Sequence, residues 1–165
     1  MAFQGGPFRE SPAGKSKMIT AVNHTSFTVS DVERSVAFYK DLLGMELLSL
    51  AERDPAFSQK VTGIPGAHLK VAYLKAPDGH RLELIQYLSP QGKRLDTRTS
   101  NVGSGHLAFD VEDLPRIFQE LKAKGVKFKS PPLEVPTGPN RGTLAVYFTD
   151  PDGITLEFLQ RSKIK

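Results

Sequence analysis

The chain has 165 residues, of which 39% are apolar and 24% charged, with a formal net charge of +4 and no cysteine. This is enough chain for one domain, or for a pair of small modules sharing a core. The missing thiols exclude disulfides and thiolate zinc sites and fit a cytoplasmic location, no apolar run of about 18 residues offers a membrane span, and no Lys/Arg run interleaved with aromatics points to nucleic acid.

Met1 to Lys17 is rich in Gly, Pro, Ser and basic residues and lacks an apolar h-region. It reads as a flexible N-terminal extension (1–17), not a signal peptide, with Met18 a candidate start. Val22 to Val29 has the β-branched content and alternation of a strand, with His24, Ser26 and Thr28 on one face. A helix follows with a capping-box pattern, Ser30 and Glu33. Val32, Val36, Tyr39 and Leu43 then recur at helical spacing, and Gly44 is placed to end the helix. Met45 to Arg53 reads as a strand, Asp54 to Gly66 as an irregular Pro/Gly loop, and His68 to Tyr87 as a hairpin turned by Pro77-Asp78-Gly79. Residues 89–104 are polar, with Pro, Gly and Ser, and read as a linker.

The pattern then restarts. His106, Phe109, Val111 and Asp113 repeat His24, Phe27, Val29 and Asp31 at an offset of 82. A helix opens after Asp113, with Leu114, Ile117, Phe118 and Leu121 as its apolar face and Gly125 at its end. Residues 126–128 begin a strand, and 131–142 form a second Pro/Gly loop. The closing hairpin, Tyr147 to Gln160, repeats Tyr73 to Gln86 at an offset of 74 and shares its Tyr, Pro-Asp-Gly, Leu-Glu and Gln. The expected architecture is therefore α+β: two tandem βαβββ modules, 18–88 and 105–162, with curved sheets that form a cup.

The repeat places His24 and Glu83 in the first half and His106 and Glu157 in the second. A carboxylate set among Leu, Ile and Phe is costly to bury without a partner. Two imidazoles and two carboxylates converging on one cavity make a four-ligand site for a single divalent ion, Zn²⁺, Ni²⁺, Co²⁺, Mn²⁺ or Fe²⁺. Any one of these residues alone has a structural explanation. The argument lies in their repetition.

The repeated His-x-x-Phe-x-Val-x-Asp start, the Asp-Pro-Asp-Gly turn at 150–153 and the following Leu-Glu resemble the vicinal-oxygen-chelate superfamily over almost all of residues 19–160. That group includes glyoxalase I, methylmalonyl-CoA epimerase, extradiol dioxygenases and the fosfomycin- and bleomycin-resistance proteins. The resemblance implies a metal held by His24, Glu83, His106 and Glu157, the His/Glu/His/Glu set of bacterial-type glyoxalase I. It also implies chelation of two adjacent substrate oxygens, an enediolate or enolate, and proton transfer by Glu157 with Glu83 across the metal.

Glyoxalase I fits the ligand set and the 139–143 loop, where Arg141 can meet a substrate carboxylate. The first hairpin lacks the Asn-Trp extension typical of bacterial glyoxalase I. Methylmalonyl-CoA epimerase resembles the chain in its Leu-Glu-Leu-Ile-Gln strand but usually has Gln where Glu83 stands. Extradiol dioxygenases use two His and one Glu in a chain about twice as long. A bleomycin-resistance-type protein that only binds a ligand is a further alternative, though such members generally lack the four ligands. Tyr87 and His68 are candidate substrate-side residues. Phe57, Tyr73 and Tyr147 read as core or cup lining, and the loops at 54–66 and 131–142 as candidate lids. A small substrate, whose anionic form the excess positive charge would favour, and a homodimer complete the expectation.

Overall fold

The computed structural model describes residues 18–161; the expected extension at 1–17 lies outside them. The first half contains β1 (Thr25–Thr28), α1 (Val32–Ala37) with a π-helical continuation (Phe38–Leu42), β2 (Glu46–Glu52), α2 (Pro55–Thr62), β3 (His68–Lys75) and β4 (Arg81–Ser89). The second contains β5 (His106–Asp110), α3 (Leu114–Ala123), β6 (Lys127–Phe128), β7 (Leu133–Glu134), β8 (Leu144–Thr149) and β9 (Thr155–Gln160). They form two sheets of like topology, β1-β4-β3-β2 and β5-β9-β8-β6, with β7 added to β8. In both, the first strand runs parallel to the last, and the last two strands form an antiparallel hairpin. Gly79 (φ 90°) and Gly153 (φ 85°) occupy the left-handed position that each Pro-Asp-Gly turn requires. The α+β expectation and its tandem modules hold.

Strand alternation decides which residues pack. Leu82 and Leu84 of β4 and Leu156 and Phe158 of β9 are buried. With Val32, Val36 and Tyr39 of the first helix and Leu114 and Leu121 of α3, they form one apolar cluster that spans both halves. The residues that alternate with them, Glu83, Ile85, Glu157 and Leu159, therefore stand on the opposite, open faces of the two sheets.

Polar contacts close the junction between halves. Asp152, in the second Pro-Asp-Gly turn, accepts from Ser30 N–H (2.9 Å), Ser30 Oγ (2.6 Å), Arg34 (2.8 Å) and Arg94 (2.9 Å). Two residues earlier, buried Asp150 accepts from the hydroxyl of buried Tyr39 (3.1 Å) and from the N–H groups of Asp152 and Ile154. Burial raises the Asp150 carboxyl, and burial followed by the Asp150 charge raises the Tyr39 phenol well above its usual range.

Four local readings change. α1 is capped by Asp31, which accepts from Arg34 N–H (2.9 Å), and not by a Ser30–Glu33 box. Ser30 is drawn away to Asp152 and Glu33 to Lys70, since both charged partners are stronger than a backbone amide. The supposed loop at 54–66 contains α2, which starts at the N-cap Asp54 with Pro55 in its first turn and ends on Gly63. Its Phe57 is 59% exposed rather than lining a core or cup. Beyond Ser89, the last residue of β4, the expected 89–104 linker has no regular structure but is fastened down: Thr97 Oγ1 donates to the Gly153 carbonyl (2.6 Å), Ser104 Oγ to the Thr97 carbonyl (2.9 Å), and Arg94 to Asp152. It is a strap across the junction.

Among the described residues no helix is long and apolar enough to cross a membrane. Burial alone would raise the Asp152 carboxyl, but the hydrogen bonds from Ser30 and the Arg34 guanidinium outweigh it and hold it below the ordinary value. Its folded value is thus below the unfolded one of about 3.9, so its contribution is complete above that pH and is lost as pH falls through the folded value. Asp152→Ala is expected to cost about 2–3 kcal/mol in denaturant unfolding. The same change at Asp78, its exposed counterpart in the first turn, should cost less than about 1 kcal/mol. Asp152→Asn should flatten the acid limb of the stability curve.

Candidate metal centre

The strand registers bring the repeated residues together pair by pair. Parallel pairing of β1 with β4 sets Ser26 opposite Glu83, which brings His24, one step along the same face, to the carboxylate. His24 Nε2 lies 3.3 Å from Glu83 Oε2. In the second half, β5 pairs with β9 in the same way, and His106 Nε2 lies 3.3 Å from Glu157 Oε2. The two carboxylates are largely covered, at 13% and 14% side-chain exposure, while the imidazoles are more open at 32% and 40%. Each pair is a shielded acid under a partly exposed base.

A tyrosine completes each pair. Antiparallel register sets Tyr73 opposite Glu83 and Tyr147 opposite Glu157. The Tyr73 ring meets His24 edge-on at 5.9 Å, and Tyr147 meets His106 at 5.2 Å. The halves differ in one respect. The Tyr73 hydroxyl donates to Glu83 in a short hydrogen bond, and that bond, followed by burial, raises the Tyr73 phenol. The Tyr147 phenol is raised by burial first and the nearby Glu157 charge second. Sequence reasoning assigned both tyrosines to core or cup lining. The signal for them was their place in the repeat, ten residues before each glutamate.

The donor chemistry fits a divalent ion. The His24 Nδ1 bonds the Asn23 side-chain oxygen (2.8 Å), which can only accept. In the neutral imidazole Nδ1 then carries the proton, and the Nε2 lone pair is turned toward Glu83. A lone pair and a carboxylate oxygen 3.3 Å apart repel unless a cation or proton lies between them. Two ligands each about 2.0–2.2 Å from one ion stand roughly 3.0–3.5 Å apart. Each pair supplies two ligands, however, and among the described residues no three His, Asp or Glu side chains of the chain converge. The apolar cluster draws on both halves, and the two His–Glu pairs stand on the faces turned away from it.

The remaining predicted site residues lie elsewhere. His68 pairs with Glu52 across the β3–β2 end of the first sheet (3.0 Å). Tyr87 is on the Glu83 face of β4 and lines a cavity of about 480 Å³ with Thr28, Leu95 and Ile154 beneath the strap. A second cavity, about 560 Å³, is lined by strap residues from Arg94 to Ser100 together with Tyr147, Thr155 and Lys129. Arg141 is exposed in the turn before β8, its N–H donating to the Gly138 carbonyl (3.2 Å). His80 bonds Thr25 Oγ1 (2.9 Å) and fastens the first turn to β1.

Comparison with known proteins bears on this arrangement. A family model described as the Glyoxalase/Bleomycin resistance protein/Dioxygenase superfamily matches residues 21–158. The chain is similar to a 2-epi-5-epi-valiolone epimerase of an Actinomyces species, 32% identical over 143 residues that cover 84% of this chain and 78% of the relative. It is also similar to a lactoylglutathione lyase of Haemophilus influenzae, 28% identical over 144 residues that cover 86% of this chain and 93% of the relative. Among solved structures, a glyoxalase family protein from Bacillus cereus shares the fold with a TM-score of 0.74 at 24% identity, over 90% of this chain and 99% of that one.

The hydrogen bond to Glu83 gives a direct test of the first pair. In Glu83→Gln the Tyr73 phenol should ionise at lower pH than in the unsubstituted protein, moving back toward the ordinary tyrosine range. Ultraviolet difference titration reads this shift, and an unchanged Tyr73 transition would separate the two side chains.

Proposed function

The chain belongs to the glyoxalase/bleomycin resistance protein/dioxygenase superfamily, and from that membership we propose that it is a divalent-metal-dependent isomerase or lyase of the glyoxalase type. It acts on a small substrate with adjacent oxygens. The observation that carries this reading is the duplicated His–Glu pair, with the same 3.3 Å separation in both halves. The epimerase and the lyase similar to this chain support the same class.

His24, Glu83, His106 and Glu157 would hold the ion. When bound, such an ion supplies a Lewis acid that polarises two vicinal oxygens. The protein does the rest. Tyr73 holds Glu83 in place through its hydroxyl. Glu157, with no comparable hydrogen bond among the described residues, is the carboxylate free to take a proton from the reacting carbon and return it to the neighbouring carbon or the opposite face. The raised phenols of Tyr73 and Tyr147 stay protonated at neutral pH, so Tyr73 donates to Glu83 and neither phenol adds charge beside the carboxylates.

Among the described residues of one chain no three of these ligands come together, so a complete four-ligand site calls for a second copy of the chain. In a two-fold dimer, the open face carrying His24 and Glu83 meets the face carrying the partner's His106 and the partner's Glu157, and symmetry makes this happen twice. The expected outcome is a dimer in solution with one ion per chain by elemental analysis. His24→Ala and His106→Ala should each fail to bind metal when purified alone. Mixed and allowed to exchange subunits, they should recover part of the binding, because one of the two sites in the mixed dimer keeps all four ligands. No recovery would place the whole site within one chain. Glu157→Gln should lower turnover of a glutathione–methylglyoxal hemithioacetal, or its solvent-deuterium incorporation, by about a hundredfold to ten-thousandfold with the fold unchanged. Full activity would remove Glu157 from proton transfer.

A further inference from the structure

The two halves are not equal in length. The repeat offset falls from 82 at the first strands to 74 at the hairpins, and the eight-residue difference matches α2, itself eight residues long. In the second half β6 passes through Lys129 and Ser130 to Pro131 with no helix between. The insert ends the symmetry of the two pairs, because it starts beside one of them.

Arg53 is the residue at which the insert begins. Its N–H donates to the Leu69 carbonyl of β3 (2.8 Å). The next residue, Asp54, caps α2 by accepting from Phe57 N–H (2.7 Å). The backbone is thus fixed on both sides, and the side chain leaves from a set point. Its guanidinium carbon lies 5.9 Å from the centre of the Tyr73 ring, within cation–π range, and the Tyr73 hydroxyl is bound to Glu83. Arg53 is therefore one side chain removed from the first pair.

Arg34, Arg94, Arg98, Arg116 and Arg161 each hold a carboxylate. Arg53 holds none among the described residues, and it is half-buried, whereas the other two arginines without a carboxylate, Arg81 and Arg141, are exposed. A cation that has given up part of its water without a fixed counter-ion is suited to one that arrives with a ligand. The planar fork of arginine matches carboxylate and phosphate oxygens two at a time.

We propose that Arg53 binds an anionic group of the substrate, a carboxylate or a phosphate, beside Glu83. This inference rests on the reading of the first His–Glu pair as half of the reaction site. The anion fixes the substrate's direction: its charged end lies on the Glu83 side, and its reacting carbon on the side of the partner's Glu157. The asymmetry between halves thereby serves to orient a ligand within an otherwise repeated frame.

Dihydroxyacetone phosphate and dihydroxyacetone test this, since both carry a hydroxyl beside a carbonyl and only the first carries an anion. The protein as purified is titrated with each while the arginine Nε–H resonances are followed. The phosphate compound should move the Arg53 resonance and saturate at a concentration lower by about tenfold or more. Arg53→Gln should abolish that preference, and Arg53→Lys, which keeps the charge without the fork, should keep part of it. Equal saturation by the two compounds overturns the proposal. So does a preference that survives Arg53→Gln and disappears in Arg141→Gln, which would move the anion site to the turn before β8. Because the readout is binding, a failure of the proton-transfer reading would register separately, as full turnover in Glu157→Gln.

Discussion

Period-two alternation along β4 and β9 governs this molecule. Leu82 and Leu84 from one strand and Leu156 and Phe158 from the other go into the same apolar cluster, and each Leu–Glu–Leu or Leu–Glu–Phe triplet must then turn its acid the other way. Hydrophobic burial thus does more than stabilise the chain. It brings the open faces to the outside, sets Glu83 and Glu157 on them, and lets the parallel first strands deliver a histidine to each acid at the same distance. A polar residue exchanged for one of the core leucines would disturb stability and site geometry together.

Against that repeated frame, the departures from symmetry carry information. The two Pro-Asp-Gly turns have the same backbone, but Asp78 only caps its own turn by accepting from His80 N–H, while Asp152 gathers Ser30, Arg34 and Arg94 at the junction. Tyr73 is hydrogen-bonded to its glutamate, and Tyr147 is near its own without such a bond. α2 and Arg53 have no counterpart in the second half. Duplication supplied two equivalent scaffolds, and these local differences give them separate tasks.

The fold was legible in the sequence because its signals are repeated. Strand alternation, helix spacing and turn chemistry appear twice, and each copy supports the other. The four ligand candidates were legible for the same reason, since His24 and His106 matched, as did Glu83 and Glu157. What the sequence concealed belonged to one copy only. α2 has Asp54, Pro55 and Gly63 at the proper places, but its Pro/Gly content resembled loop and it has no twin to confirm it. The roles of Ser30 and Glu33 depended on Asp152 and Lys70, partners 122 and 37 residues away. The strap at 89–104 looked like a linker because its attachment runs through hydroxyls and a guanidinium instead of apolar side chains. Whether four ligands meet within one chain is a matter of how two faces are oriented, and no local pattern encodes it.

One shared residue of the two hairpins has a consequence for how the chain folds. Gln86, near the end of β4, accepts through its side-chain oxygen from Val32 N–H at the start of α1 (3.0 Å), and Gln160, at the end of β9, does the same for Leu114 N–H at the start of α3 (2.7 Å). The partners are 54 and 46 residues apart. A helix start has unpaired amides until something accepts from them, and here one acceptor arrives only with the last strand of the half. Neither helix start has this amide satisfied until its hairpin has docked, and a ribosome-bound chain cut short before Gln86 would present α1 with that amide still unsatisfied.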